Sequence, residues 1–469
     1  MTRLSTENAL LPAWTLTRER FGDAPAIYSP AGKVLRSFAQ IEAEAEKISS
    51  LFESFLLGSV VAVQIGNSEF WPELLLALWR RGLIPLPLGE MSGAELENTL
   101  SGCGAVARVT VEAGRVAVLK RSGTLSVADW PEITPQFLKL TSGTTSLARM
   151  VCFQGSQLLA DAENICATMG ITAQDINFGV IPFSHSYGFS NLITPLLSHG
   201  VPLVVSNDRL PRAILEGIAS SRATVLPATP YFFQKFAELE RAPAVPTLRL
   251  CISAGAPLAR QSATLFTEKF GRKIHTFYGA SECGGIAYDA SEEGSYEDGF
   301  VGDPMQGVTI EHTAEAGGPI IVRGPAVGTG YFPSMDESPL AEGRFVPADV
   351  VQQQKRGLYL IGRTSDVINV AGRKLNPLEV EARLAEFPGI RQAVVFGVAS
   401  EVRGEIPVAC VAGQGVAREA VLRFCQEKLS PWQVPRDIWV VREIPSNERG
   451  KISRRALAES YCALHTQRS

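Results

Sequence analysis

Between Val60 and Phe277, short runs of aliphatic and β-branched residues alternate with stretches whose apolar positions recur every three or four residues. The first pattern is that of a buried strand, the second that of a helix with one apolar face. Strand–helix–strand order at this spacing implies α/β layers with a mostly parallel sheet, because parallel neighbours need a crossover between them. Val60–Ile65 reads as a strand. Ser68 is placed to cap a helix running to Arg81, and Gly82 to end it. Leu83–Leu88 is the next strand, and Pro85 and Pro87, which lack an N–H, put it at a sheet edge. The order repeats with strands at Ile176–Ile181, Val201–Val205, Ala223–Leu226, Leu248–Ser253 and Lys273–Phe277, and helices near Ser190–Ser198 and Tyr231–Leu239. Ahead of all this, residues 1–57 read as mainly helical, with Phe38, Ile41, Ala45, Ile48, Phe52 and Phe55 forming an amphipathic stripe.

The texture changes near residue 290. Gly302–Phe332 has short apolar runs divided by Gly317-Gly318, Gly324-Pro325, Gly328 and Gly330, the pattern of antiparallel strands with tight turns. Beyond it lies a separate small unit. Asp366–Val370 is a strand, and Asn376-Pro377-Leu378-Glu379 supplies an N-cap, a proline at the first helical position and a glutamate at the third. Strands at Ala393–Val398 and Val408–Val411 and a helix over Arg418–Leu429 complete a compact α+β lid. A chain of 469 residues is too long for a single core. The expected organisation is therefore a large domain of layered parallel sheet with helices and a small β subdomain, 1–362, followed by a small mobile α+β domain, 363–469.

Composition narrows the function classes. A net charge of −4 argues against a nucleic-acid binder that relies on bulk positive field. The eight cysteines are scattered without metal-ligand spacing and read as reduced thiols of a cytoplasmic protein. The N-terminus lacks the apolar core of a signal peptide, and the most apolar run, Leu74–Trp79, is too short to span a bilayer. There is no GxxxxGK[ST] loop and no GxSxG elbow, which removes P-loop ATPase and α/β-hydrolase readings.

The residues that carry chemistry follow the strands, where ligands of open α/β sheets bind. After Phe137-Leu138-Lys139 comes Leu140-Thr141-Ser142-Gly143-Thr144-Thr145-Ser146, a segment able to turn at Gly143 and to present N–H and hydroxyl donors to phosphate oxygens. Four further turns are Pro182–Gly188 with His185, Pro227–Pro230, Ala254-Gly255-Ala256-Pro257, and Tyr278-Gly279-Ala280-Ser281-Glu282. Tyr278 offers a flat face for a purine, Ser281 a donor for phosphate, and Glu282 a carboxylate for a Mg²⁺ otherwise held by phosphate and water. Asp349 can take both hydroxyls of a ribose and Arg363 can help hold the same sugar. Lys451, beside Gly450, can bring a point charge into a closing site. Taken singly, each of these has an ordinary alternative as a surface turn, ion pair or core residue; their joint presence and order raise the functional reading.

The set resembles the adenylate-forming superfamily of acyl-CoA synthetases, adenylation domains and luciferases, from about Phe21 to Leu457. The segment 141–149 resembles that family's phosphate loop, and Tyr278–Glu282 its Tyr-Gly-x-Thr/Ser-Glu motif. Asp349 matches its ribose aspartate, Gly362–Asp366 through Gly372-Arg373 with Glu379-Val380-Glu381 its hinge segment, and Lys451 its C-terminal lysine. The resemblance implies ATP, Mg²⁺ and coenzyme A, or a carrier-protein phosphopantetheine, as cofactors and partners. It also implies a small carboxylic acid as substrate, and a monomer or homodimer. It implies formation of an acyl-adenylate at Glu282 and Lys451, then rotation about Ser365 that brings Ala371-Gly372 in for attack by a thiol. His185 resembles the position lining the acyl pocket and thiol tunnel.

The chain departs from that pattern in three places. Ser146-Leu147-Ala148-Arg149-Met150 stands where the family continues Gly-x-Pro-Lys-Gly, Pro347-Ala348 replaces Thr-Gly before Asp349, and Ser365 holds a position often occupied by Asp. Arg149 keeps a cation but changes its geometry. An acid–thiol ligase making an acyl-CoA is the first reading, a carrier-protein-loading enzyme the second, and a binding protein without turnover the third. Phe183, Tyr187, Phe189, Ala228, Ala254 and Ala256 suggest an apolar acid pocket, favouring fatty or aryl acids.

Overall fold

The computed structural model describes residues 7–121, 130, 133–141, 149–292, 296–312, 318–333, 338–341, 343–363, 366–371, 373–400, 404–445 and 452–466. It forms two compact units. The first comprises Met1–Tyr296, Val301–Ile310 and Ile321–Val346; the second comprises Glu297–Phe300, Glu311–Ile320 and Pro347–Ser469.

In the first unit the expected alternation closes as a sheet in the order Gly284–Tyr288, Ile274–Ala280, Leu250–Ser253, Val225–Ala228, Asn177–Gly179, Leu203–Val205, Pro25–Tyr28, Val34–Ser37. From Ile274 to Tyr28 the neighbours are parallel, with Cys251 beside Ile274, Val225 beside Leu250 and Ile27 beside Leu203. The crossover helices include Thr194–His199, Pro211–Ser221, Pro230–Glu238 and Arg260–Phe270. Proline sits at the start of the second and third, where its missing N–H costs nothing. A second sheet runs Ile84–Pro87, Val60–Val63, Ala107–Glu112, Arg115–Lys120, and its proline-bearing strand is at the edge, as expected. A third, small antiparallel sheet joins Phe137–Leu140, Met150–Phe153 and Gly330–Phe332.

Three local expectations are corrected. Residues 1–57 contain helices at Leu10–Phe21 and Phe38–Ser49, but also a hairpin of Pro25–Tyr28 with Val34–Ser37. These strands are too short to show a period, and the first is held by pairing with the distant Leu203–Val205. The helix assigned to Ser68 begins at Trp71, and the Ser68 hydroxyl accepts from the Phe70 N–H one turn earlier. Tyr278, Gly279 and Ala280 lie in a strand: Ile274–Ala280 continues past its parallel neighbour and pairs antiparallel with Gly284–Tyr288, so only Ser281–Cys283 turn. A Cβ on Gly279 would sit 2.7 Å from the Gly284 carbonyl oxygen, which is why this hairpin needs glycine.

The second unit carries the hairpin Asp349–Gln354/Gly357–Arg363 and a mixed sheet of Arg373–Leu375, Ile368–Val370, Gly404–Gly413 and Ile390–Ser400, with Asp437–Val441 parallel to Gly404–Gly413. Helix Pro377–Ala385 starts where the sequence indicates, the Asn376 side chain accepting from the Leu378 N–H. Helices Pro377–Ala385 and Arg418–Lys428 pack Val380 and Val421 against Val395 and Val411 of the sheet, and Arg454–Thr466 packs Leu457 against Val394 and Val408.

Candidate active site

Of the expected phosphate segment, Ser142, Gly143, Thr144 and Thr145 lie outside the described residues, but its two ends do not. Thr141 donates from its N–H and from Oγ1 to the Arg149 carbonyl, at 2.9 and 3.1 Å. The strands on either side pair Leu140 with Met150 and Lys139 with Val151. The same central strand pairs Val151 with Tyr331 on its other edge. Partners directly across antiparallel strands share a face. Lys139, Val151 and Tyr331 therefore stand in a row on one face of the small sheet.

That row meets the turn bearing Glu282. The Tyr331 hydroxyl donates to Glu282 Oε1 at 2.9 Å, and the Gly328 N–H donates to the Glu282 carbonyl at 2.8 Å. A Cβ on Gly328 would lie 2.7 Å from Val151 Cγ1, so this approach requires glycine. The glutamate is thus fixed through both its main chain and its carboxylate. Burial, and next the charge of Glu282, push the Tyr331 phenol up, while Arg149 pulls it back. The tyrosine stays a donor, and the guanidinium of Arg149 acts on the same pair. Tyr331 was absent from the sequence-based set. Its only signal was an aromatic after two turn glycines, 49 residues from its partner.

Beneath lies a buried polar cluster. Lys139 is 4% exposed, its ammonium 3.4 Å from the Ser190 hydroxyl and 4.6 Å from the Phe153 ring centre. Asp161, also buried, accepts the Gly285 N–H through Oδ1 at 3.0 Å. Burial lowers the Lys139 pKa, and Asp161, Cys283 and Glu282 raise it back in part.

Around this core, Ser186 donates to the Ser281 hydroxyl at 2.9 Å, which leaves the Ser281 proton to be offered elsewhere. Gly255 is exposed with φ +88°, a conformation that needs glycine, and precedes the half-buried Ala256 and exposed Pro257. Tyr278 is only 7% exposed, so most of its ring is already covered by protein. His185 is half-buried at the start of the helical run Ser186–His199. The turn Pro182–Gly188 is held by Asn67, whose Nδ2 donates to the carbonyls of Gly179, Ile181 and Ser206 and whose Oδ1 accepts from the Phe183 N–H. Phe183 and Phe189 are 0% and 1% exposed and belong to the core, Phe189 packing on Phe137 with ring centres 4.3 Å apart, so neither lines an acid pocket. The Tyr187 hydroxyl donates to the Ile252 carbonyl at 2.9 Å, across the carboxyl end of that strand.

In the second unit, Asp349 is 8% exposed and Arg363 Nε donates to its Oδ1 at 2.6 Å across the hairpin. Gly372, Ser365 and Lys451 lie outside the described residues. Three residues after Lys451, Arg454 bridges Asp366 at 3.4 Å and Glu381 at 3.0 Å. Among the described residues no group of three or more His, Cys, Asp or Glu could hold a metal ion. The single carboxylate of Glu282, one oxygen of which is taken by Tyr331, fits a magnesium ligated mainly by phosphate and water rather than by a protein cage.

The sequence pattern of AMP-binding enzymes matches residues 15–332, and that of the AMP-binding enzyme C-terminal domain matches residues 379–451. The chain belongs to the AMP-binding enzymes. Among relatives of this AMP-binding enzyme, a probable CoA ligase (CCL9) of Humulus lupulus is 28% identical over 87% of both chains. An oxalate–CoA ligase of Arabidopsis thaliana is 27% identical over 94% of this chain and 96% of its own. Among solved structures, ATP-bound MatB from Rhodopseudomonas palustris superposes with a TM-score of 0.85 at 22% identity, covering 98% of this chain and 100% of its own. The anthranilate–CoA ligase AuaEII, in complex with anthranoyl-AMP, gives 0.82 at 19% identity over 99% of each. At these identities the structures establish the AMP-binding fold.

Proposed function

We propose that this AMP-binding enzyme is an AMP-forming acid–CoA ligase acting on a fatty or aryl carboxylic acid. The observation that carries the reading is Glu282, its carboxylate held by Tyr331 and its main-chain carbonyl by Gly328, beside Arg149 at the end of the hydroxyl-rich segment. CoA ligases for oxalate, 2-succinylbenzoate and indoleacetate among its relatives support the same reaction class.

In the first half-reaction an acid carboxylate oxygen attacks the α-phosphorus of ATP. An acyl–O–P bond forms, the α–β phosphoanhydride breaks, and pyrophosphate leaves. Negative charge grows around phosphorus, and preorganised donors stabilise it most effectively. Thr141–Thr145 would cradle the phosphates, Ser281 would donate its free proton, and Arg149 would pair two oxygens with its fork. Gly255, Ala256 and Pro257 would border the adenine with Tyr278, Gly279 and Ala280. Asp349, ordered by Arg363, would accept from the ribose hydroxyls. Magnesium at Glu282 would supply neutralising charge on the phosphates. Lys451 is proposed for the α-phosphate. In the second half-reaction the CoA thiolate attacks the acyl carbon, a thioester forms and AMP leaves; His185 is proposed to border the thiol's approach and Gly372 to accompany it. The division at 362/363, a rotation about Ser365 between the two steps, and a cytoplasmic location belong to the same proposal.

ATP–pyrophosphate exchange over a panel of carboxylic acids, followed by thioester detection with CoA or a phosphopantetheine carrier protein, tests it. Exchange and thioester formation with CoA are expected. Nucleotide binding without exchange for any acid would overturn it.

A further inference from the structure

Lys139 has no role in the reading above, yet its position is costly. An ammonium at 4% exposure loses nearly all its hydration, and such groups are kept charged only by compensating partners. Its hydrogen-bond partner is the Ser190 hydroxyl at 3.4 Å, and its other neighbours are the faces of Phe153 at 4.6 Å and Phe189 at 6.0 Å. The groups whose fields act on it are Asp161, Cys283 and Glu282. Asp161 spends Oδ1 on the Gly285 N–H, and its buried Oδ2 has no hydrogen-bond partner among the described residues. Phe137–Leu140, the strand carrying Lys139, runs directly into Thr141. Its register places Lys139 in line with Val151 and Tyr331 on the face from which Tyr331 grips Glu282.

We propose that Lys139 is a positioning residue for MgATP. Its buried ammonium stands in the row from whose other end Tyr331 orients the Glu282 carboxylate, and its field holds that carboxylate toward the cation that accompanies the triphosphate. Lys139 does not touch substrate. It acts through Glu282, and its field is effective because the surroundings are apolar and screen it little. The proposal rests on the acid–CoA ligase reading.

The test uses Lys139→Met, which keeps the stem and removes the charge, and Lys139→Gln, which also keeps a group able to bond Ser190. Binding of a non-hydrolysable ATP analogue is measured by calorimetry across a magnesium titration, alongside the KM for MgATP and for the acid in pyrophosphate exchange. Both variants are expected to bind the magnesium–analogue complex about tenfold or more weakly and to need more magnesium for half-saturation. The KM for the acid is expected to be unchanged, while some stability is lost because the buried Asp161 carboxylate is left without its counter-charge. A core role alone would lower stability and leave the magnesium dependence where it was; that result in either folded variant overturns the proposal. Absence of exchange in the wild type with every acid would instead overturn the ligase reading, and the calorimetric comparison would still decide the role of Lys139.

Discussion

Glu381 offers the most quantitative test of the second unit. The Arg454 guanidinium lies 3.0 Å from Glu381 Oε1, which also accepts the Val395 N–H at 2.6 Å. Burial dominates over Arg454 and that hydrogen bond, and pushes the carboxyl from 4.5 up to about 7, with Asp366 adding repulsion. The folded pKa is thus above the unfolded one. The favourable contribution is complete below about pH 4.5, is lost as pH rises toward 7, and is gone beyond it. At about 1.4 kcal/mol per pH unit, the rise is worth roughly 3 kcal/mol. Because two units are present, a global unfolding curve would blur this, so a local reporter is needed. The Val395 amide is that reporter, and its hydrogen exchange, corrected for intrinsic pH dependence, reads the opening free energy at the site. In the wild type this should fall by about 3 kcal/mol between roughly pH 4.5 and 7. In Glu381→Gln, whose amide oxygen can still accept from Val395, it should be flat. Parallel profiles in the two proteins would refute the assignment. Arg454→Met should lower it by a further ~3 kcal/mol at pH 8, since a lone buried carboxylate remains.

Three other outcomes are expected. Arg149→Ala should raise the KM for MgATP and slow pyrophosphate exchange; unchanged exchange would remove Arg149 from the site. Tyr331→Phe deletes a 2.9 Å hydrogen bond to a carboxylate, worth about 1.5–3 kcal/mol, so kcat/KM for MgATP should fall by up to about 10- to 150-fold. Asn67→Ala leaves the carbonyls of Gly179, Ile181 and Ser206 without their shared donor and should cost about 2–4 kcal/mol in denaturant unfolding, with a protein that still binds ATP.

The features that were legible in the sequence are those that depend on local chemistry. The Asn376-Pro377 start specifies its own helix, because cap and fixed φ act within one turn. The proline-bearing strand Ile84–Pro87 declares its edge for the same reason. What stayed hidden depends on pairing between distant segments. The Pro25–Tyr28 strand exists because Leu203–Val205 offers it an edge. The strand character of Tyr278–Ala280 comes from Gly284–Tyr288 turning back upon it. Tyr331 reaches Glu282, and Lys139 shares its face, only because one short strand, Met150–Phe153, collects partners from both sides of the chain. Phe183 and Phe189 show the opposite error: aromatic residues in a motif read as a pocket, when their volume is spent on the core.

The departure at the phosphate segment becomes intelligible on that same small sheet. A glycine is needed where a Cβ would collide or where φ is positive. Position 150 meets neither condition: Met150 is a strand residue paired with Leu140 and Phe332, fully buried in a cluster with Leu138, Leu86 and Trp130. A large side chain there adds to the core and anchors the segment's exit. Thr141 closes the same segment by two bonds to the Arg149 carbonyl, so the backbone under the arginine is held before any nucleotide arrives. An arginine on a fixed root suits the site better than on a mobile one, since its planar fork gains from preorganisation where a lysine's point charge does not. On the proposed reading, loss of the glycines and replacement of lysine by arginine are then one change: a segment that would bind phosphate through fixed ends. Reintroducing glycine at 150 should therefore weaken MgATP binding in the wild-type background. If Met150→Gly instead left MgATP affinity untouched while lowering stability, anchoring at the segment's exit would have no part in binding phosphate.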